Sequence, residues 1–192
     1  MAKLYKGLAD YIIRKGVAEE SDREMYEYAF EIAAEMGLFA VACIVIALYL
    51  QMFWEGILFF VLFIPLRSYA GGLHMESFTS CFCMSCLAFS GVLLAARYIE
   101  IPGWCLIIAL LLLELVVYRL YPVENANRAV DEEENAFFKK KLRGFLFLDF
   151  AIAAICLILK NEEYLLVVTA TFMLIVLTMI AGKCKNRLAS DR

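Results

Sequence analysis

The stretch 78-FTSCFCMSCLAFSGVLLAA-96 runs for 19 residues without a charged side chain. A helix needs about 20 predominantly apolar residues to cross the hydrocarbon core of a bilayer. Around this stretch, 64% of the 192 residues are hydrophobic, against about 45–50% in ordinary soluble domains. A soluble core of this size does not need so much apolar material, so the sequence predicts an integral membrane protein.

Further apolar runs lie on both sides of the first. They cover residues 37–50, 56–66, 104–120, 145–159 and 164–181. The predicted fold is therefore an all-α integral membrane protein with about six transmembrane helices. An alternative remains at residues 50–56, where a kink inside one long helix would reduce the number of crossings to five.

The N-terminal residues 1–35 differ from the rest because charges occur throughout them. Leu4, Leu8 and Ile12 follow a helical spacing, which predicts an amphipathic N-terminal helical region on the inner membrane surface. The region lacks the leading apolar segment of a signal peptide. We predict one domain over residues 1–192, in which residues 36–182 form the transmembrane bundle.

The positive charges predict the orientation of the bundle. With six crossings and a cytoplasmic N-terminus, only Arg97 and Lys160 of the 18 Lys and Arg residues fall on the outer side, which leaves 16 inside. Such asymmetry follows the positive-inside rule. The net charge of −3 gives no indication of a nucleic-acid partner.

The candidate chemistry lies between the predicted second and third crossings, where His74 precedes Cys81. A thiol protease needs a thiolate nucleophile and a base that takes the thiol proton and later protonates the leaving amine. His74 is the single histidine of the chain. On one straight helix, His74 and Cys81 would lie about 10 Å apart along the axis. The helix must therefore break between them, and Gly71 and Gly72 permit such a turn.

A zinc site is the competing interpretation, because His74, Cys81, Cys83 and Cys86 are all zinc-type ligands. On a helix, however, residues two apart point about 200° apart and residues five apart about 140°. The three thiols could then reach one ion only if the helix unwound. We therefore expect no metal and no cofactor, and we expect the seven cysteines to be reduced thiols.

The run formed by Arg67, Ala70-Gly71-Gly72, His74 and Cys81 resembles the motif of the accessory gene regulator B family, the membrane peptidases of bacterial quorum sensing. The run 122-PVENANR-128 is also similar to that family's pattern. The resemblance implies that His74 is the base and Cys81 the nucleophile, with Arg67, Gly71 and Gly72 in support. It also implies a multi-pass protein of the bacterial cell membrane, with a homodimer expected.

The resemblance further implies a definite reaction. Cys81 would attack a peptide bond near the C-terminus of a small AgrD-like precursor peptide, and the C-terminal tail would leave. A cysteine or serine within the peptide would then attack the thioester on Cys81 and close a thiolactone or lactone ring. Hydrolysis would waste the acyl-enzyme, so water must be kept away.

Two more features are candidate parts of the site. The first is the pair of acidic residues Glu114 and Asp149, which lie at predicted membrane depth. Each is expected to pair with Arg67, Arg119 or a tyrosine. The alternative for Glu114 is that it orients His74. A basic cluster is either a solvated segment or a docking surface for the charged tail of the precursor. It consists of Lys139, Lys140, Lys141 and Arg143.

A rival function belongs to a different class, a transporter or non-catalytic membrane scaffold for a peptide. The two functions differ in one respect that can be tested. A scaffold would tolerate replacement of Cys81 without loss of precursor cleavage, and a peptidase would not.

The charge asymmetry predicts that both ends of this chain lie in the cytoplasm. A thiol-reactive probe that cannot cross the membrane should fail to label single cysteines added at either end in intact cells, and should label them after lysis. A cysteine placed beside Lys160 serves as the outer control. Labelling of one end in intact cells would contradict the six-crossing topology.

Overall fold

The computed structural model describes residues 2–16, 18–71, 78–121 and 132–190. Within these ranges the chain forms seven α-helices and one short 3-10 helix, and no β-strand. The α-helices are α1 (Ala2–Arg14), α2 (Arg23–Tyr49), α3 (Phe53–Ala70), α4 (Phe78–Tyr98), α5 (Gly103–Leu120), α6 (Glu132–Ile158) and α7 (Glu162–Ser190).

Five of these helices, α2, α3, α4, α5 and α7, are long and apolar enough to cross a membrane. The prediction of an all-α membrane protein is thus confirmed. The predicted crossing at residues 145–159 falls in α6, which does not meet the same criterion in the described part of the chain. The apolar part of α6 follows the basic cluster and spans only about 22 Å at 1.5 Å per residue. The sixth crossing therefore remains a prediction.

Contacts between Cα atoms divide the chain into two compact units, Met1–Val45 and Ile46–Arg192. In the first unit, Arg23 at the start of α2 forms an ion pair with Asp10 of α1. Arg23 also donates from Nε to Glu20 at 2.6 Å. The hydrogen bond from Arg23 holds the pKa of the Asp10 carboxyl below its ordinary value. These contacts fix α1 to the beginning of α2, so an N-terminal helical region is present as predicted.

A tight turn separates α2 from α3 in the second unit. Met52 N–H donates to Ala47 C=O at 2.9 Å and Gln51 N–H to Leu48 C=O at 3.0 Å. This is the Schellman pattern that closes a helix, and it places Gln51 at φ 55°. The kinked single helix considered for residues 50–56 is therefore not observed, and α2 and α3 are separate helices.

The α7 helix occupies the centre of the second unit, where it contacts α3, α4, α5 and α6. Its apolar window is 61% buried, against 11–28% for the other four candidate spans. The hydroxyl of Thr169 donates to Leu165 C=O at 3.0 Å within α7. A helix buried on all sides needs such internal partners for its polar groups. The central position of α7 fixes the ends of the four surrounding helices relative to one another.

The helices approach closely at Gly56, near the start of α3. A Cβ atom at Gly56 would lie 3.2 Å from the Cβ of Ala47 and 3.2 Å from the Cζ of Phe89. Phe89 is fully buried, and its ring centroid lies 5.2 Å from that of Phe59 and 5.3 Å from that of Phe60. A side chain at position 56 would therefore displace the aromatic contacts that join α3 to α4.

Substitution Gly56→Leu should destabilise the protein by about 1–3 kcal/mol, the usual effect of overpacking a filled core. The measurement is thermal unfolding of the purified protein in detergent. Gly91→Leu is the matched control, because a Cβ at Gly91 meets nothing within 4 Å. Equal loss of stability in both variants would show that the close approach at Gly56 is unimportant.

Candidate active site

The turn that leads out of α3 depends on a backbone conformation that only glycine adopts readily. Gly71 has φ 78° and ψ −163°, a region of the backbone map that is essentially closed to other residues. Its N–H donates to Arg67 C=O at 3.2 Å and closes the helix. Gly71 thus forms the turn that ends α3, its supporting role in the site stays a prediction, and Gly72 and His74 lie outside the described residues.

Cys81 lies in the first turn of α4, which begins at Phe78. The prediction that a new helix starts before Cys81 is therefore confirmed. The side chain of Cys81 is exposed. The first four N–H groups of a helix have no partner within it, and they carry the positive end of the helix dipole. Both features favour negative charge near the start of a helix.

Arg67 lies within electrostatic range of Cys81 across the gap between α3 and α4. One guanidinium nitrogen of Arg67, Nη1, is buried. Two residues later, the ring of Tyr69 stacks on Phe145 of α6, with 5.5 Å between centroids, and meets Phe138 edge-on at 5.7 Å. These ring contacts hold the end of α3, which carries Arg67, against α6.

The three thiols of α4 lie on one continuous helix. Cys81 and Cys83 are exposed and Cys86 is half-buried. Because the helix does not unwind, the angles of about 200° and 140° between these positions hold. The described residues contain no group of three side chains that could hold a metal ion. All seven cysteines lie within the described ranges, and none of them forms a disulfide.

The two acidic residues at predicted membrane depth lie on neighbouring helices. Glu114 of α5 is within electrostatic range of Asp149 of α6, and α5 contacts α6 directly. Among the described residues, neither Glu114 Oε1 nor Asp149 Oδ2 has a hydrogen-bond partner. The expected pairing of either carboxyl group with Arg67, Arg119 or a tyrosine stays a prediction, and an interaction of Glu114 with His74 lies outside the described residues.

The basic cluster divides between two faces of α6. Lys139 and Arg143 both turn towards α5, where Arg143 donates to the hydroxyl of Tyr118 at 2.8 Å and Lys139 lies 5.6 Å from the centre of its ring. Lys140 and Lys141 instead line a groove of about 420 Å³. The groove is completed by Phe137, Gly144, Phe145 and Leu148. This arrangement joins a basic edge to an apolar floor.

Sequence reasoning missed Tyr69 and Tyr118, because both act through contacts with a distant helix. Tyr69 links α3 to α6 through ring contacts. Tyr118 of α5 is contacted by two cationic side chains of α6, Lys139 and Arg143. The division of the cluster was visible in its spacing, since Lys139 and Arg143 are four residues apart and share a helix face.

A model of the accessory gene regulator B family matches residues 5–180 of the chain. Neither the curated proteins nor the solved structures give a match. The matched range includes the turn at Gly71, the first turn of α4 with Cys81 and the basic cluster. Because the match covers most of the sequence, the chain belongs to the accessory gene regulator B family.

Proposed function

We propose that this chain is a membrane cysteine endopeptidase that removes the C-terminal tail of a small precursor peptide and closes the remainder into a thiolactone or lactone ring. Family membership connects the chain with the peptide processing of accessory gene regulator quorum sensing. The observation that carries the finer proposal is the exposed Cys81 in the first turn of α4, directly after the glycine turn at the end of α3.

The first half of the reaction is acyl transfer to the enzyme. His74 takes the proton of the Cys81 thiol, and the Cys81 sulfur attacks the scissile carbonyl carbon. Arg67 and the N-terminus of α4 both favour the negative charge of the thiolate. The N–H groups of the first turn of α4 have no partner within the helix, and they are donors for the oxyanion that forms. The protonated His74 then donates to the leaving amine, the peptide bond breaks and the tail departs.

The second half releases the product. A thiol or hydroxyl within the bound peptide loses its proton to His74, and its sulfur or oxygen attacks the carbonyl carbon of the thioester on Cys81. The carbon–sulfur bond to Cys81 breaks, the ring closes and His74 returns the proton to the Cys81 sulfur. The peptide supplies both the acyl group and the nucleophile, so the step needs no oxidant, no metal and no cofactor.

The peptidase and the non-catalytic transporter or scaffold differ in their dependence on Cys81. Cys81→Ala and His74→Ala should each reduce tail cleavage by at least about 10³-fold, the scale on which loss of a nucleophile or its base acts in related mechanisms. The measurement is release of the tail from a synthetic precursor by the purified protein in lipid nanodiscs.

Cys83→Ala is the matched control for this prediction. Cys83 is also exposed on α4 but points to another side of the helix, so its replacement should leave cleavage within about twofold of the starting protein. Cleavage that survives Cys81→Ala would favour the scaffold. Equal loss in Cys81→Ala and Cys83→Ala would favour a role of both thiols in packing.

We also propose that the basic cluster, Lys139, Lys140, Lys141 and Arg143, docks the charged tail of the precursor. The groove supports this proposal because Lys140 and Lys141 stand beside an apolar floor that includes Phe145 and Leu148. An amphipathic tail with acidic residues would place carboxylates on the two lysines and an apolar side chain on the floor. We further propose that both ends of the chain lie in the cytoplasm of a bacterial cell and that the protein assembles as a homodimer.

The division of the cluster yields a prediction about its members. Lys140→Gln with Lys141→Gln should raise the KM for the precursor by about 2- to 30-fold at low salt, because exposed ion pairs contribute about 0.2–1 kcal/mol each. The kcat should change little, since binding far from the scissile bond acts equally on substrate and transition state.

Lys139→Gln with Arg143→Gln removes the same charge and is the control. It should change KM less, because these two side chains already contact Tyr118. An equal rise of KM in both double variants would mean that net charge alone attracts the tail. An unchanged KM in Lys140→Gln with Lys141→Gln would remove the groove from the docking surface.

A further inference from the structure

The second face of the basic cluster, formed by Lys139 and Arg143, does not line the groove proposed for the precursor tail. Both side chains are exposed on α6, and both lie against one ring of α5. Lys139 Nζ is 5.6 Å and Arg143 Cζ is 5.5 Å from the centre of the Tyr118 ring. Among the side chains that the structure describes, no ion pair includes either cation. This face therefore carries two positive charges that can meet an anion.

The tyrosine hydroxyl and the guanidinium offer donors to one acceptor. Arg143 Nη2 donates to the Tyr118 hydroxyl at 2.8 Å, so the two groups touch. A hydroxyl that accepts in this way keeps its own proton to donate, and a guanidinium has five N–H donors in all. Guanidinium donors match the geometry of phosphate oxygens, and the ammonium group of Lys139 adds a positive charge beside the same ring. A phosphate group fits these donors.

The donors lie at one end of a candidate membrane span. The α5 helix is long and apolar enough to cross a membrane, and it ends at Leu120, two residues beyond Tyr118. The hydroxyl of Tyr121 donates to the side-chain oxygen of Asn135, in the first turn of α6, at 2.8 Å. The end of α5 and the start of α6 thus lie side by side, and the two helices run in opposite directions.

Exposed apolar side chains continue from the donors along both helices. Phe147 lies one turn beyond Arg143 and is 77% exposed, and Leu115 lies one turn before Tyr118 and is 50% exposed. A surface with cations at its end and apolar side chains beside them matches a molecule with an anionic head and hydrocarbon chains. A soluble phosphate would use only the cations, and the precursor tail already has the groove on the other face of α6.

We propose that Tyr118, Lys139 and Arg143 bind the phosphate of an anionic phospholipid whose acyl chains run along Leu115 and Phe147. Basic pockets between membrane helices hold anionic headgroups in other proteins. A lipid bound here contacts α5 and α6 together, at the end of the bundle that carries the groove. Its binding needs neither the nucleophile nor a precursor, so the site is separate from the peptidase function.

Titration of the full-length protein in nonionic detergent with phosphatidylglycerol that carries a fluorescent acyl chain tests this site. Binding should saturate, and Lys139→Gln with Arg143→Gln should weaken it by about 5- to 30-fold, the contribution of one to two basic residues at an anionic membrane surface. Tyr118→Phe keeps the ring and removes the hydroxyl, so it should weaken binding by about 2- to 10-fold. Thermal unfolding of each variant checks that it folds.

Lys183→Gln with Arg187→Gln is the matched control. It removes a lysine and an arginine at the same four-residue spacing, near the end of α7. Within the described part of the chain, neither of these two cations is found on an aromatic ring. This double variant should leave the affinity for phosphatidylglycerol within about twofold of the unchanged protein.

Four results would overturn the proposal. The first is equal weakening in the two double variants, since net charge alone would then attract the lipid. The second is unchanged binding in both Lys139→Gln with Arg143→Gln and Tyr118→Phe. The third is equal binding of phosphatidylcholine, or displacement of the lipid by glycerol phosphate as readily as by unlabelled phosphatidylglycerol. The fourth is an acidic tail peptide that loses its binding in Lys139→Gln with Arg143→Gln while the lipid still binds.

Discussion

The chain interrupts its helix between Arg67 and Cys81, and the architecture around Cys81 depends on this interruption. The chain ends α3 at a residue whose backbone angles are open essentially only to glycine, Gly71. It then begins α4 just before Cys81. The end of one helix brings Arg67 within electrostatic range of the Cys81 thiol, and the start of the next has N–H groups without a partner inside the helix. Both electrostatic contributions exist because the helix is interrupted.

The bundle keeps these two helix ends in place. The central helix, α7, contacts α3 and α4 together with α5 and α6, and Phe89 fills the space between α3 and α4. At the end of α3, Tyr69 packs against two aromatic rings of α6. The same helix carries the groove lined by Lys140 and Lys141. The ring contacts at Tyr69 thus join the end of α3 to the helix that carries the proposed docking surface.

Much of this organisation could be predicted from the sequence, because apolar runs and glycine turns are local signals. The sequence did not show whether residues 50–56 form a kink or a break between two helices. The residue that takes the left-handed conformation there is Gln51 and not a glycine, so the usual signal of a helix end is missing. That Glu114 and Asp149 lie on neighbouring helices could not be predicted either, since it depends on how α5 and α6 pack. The four-residue spacing of Lys139 and Arg143 predicts that these two side chains share one face of α6. Their contact with Tyr118 could not be predicted, because Tyr118 lies on another helix.

The central claim is that Cys81 carries the peptide as a thioester, and direct trapping of that intermediate tests it. A precursor whose ring-forming cysteine or serine is replaced by alanine can still acylate the enzyme but cannot release itself by cyclisation. Mass spectrometry of the digested protein should then find the N-terminal part of the precursor on Cys81, removable by hydroxylamine and absent from the His74→Ala variant. Release of the tail without any adduct on Cys81, or with the adduct on Cys83, would contradict the account.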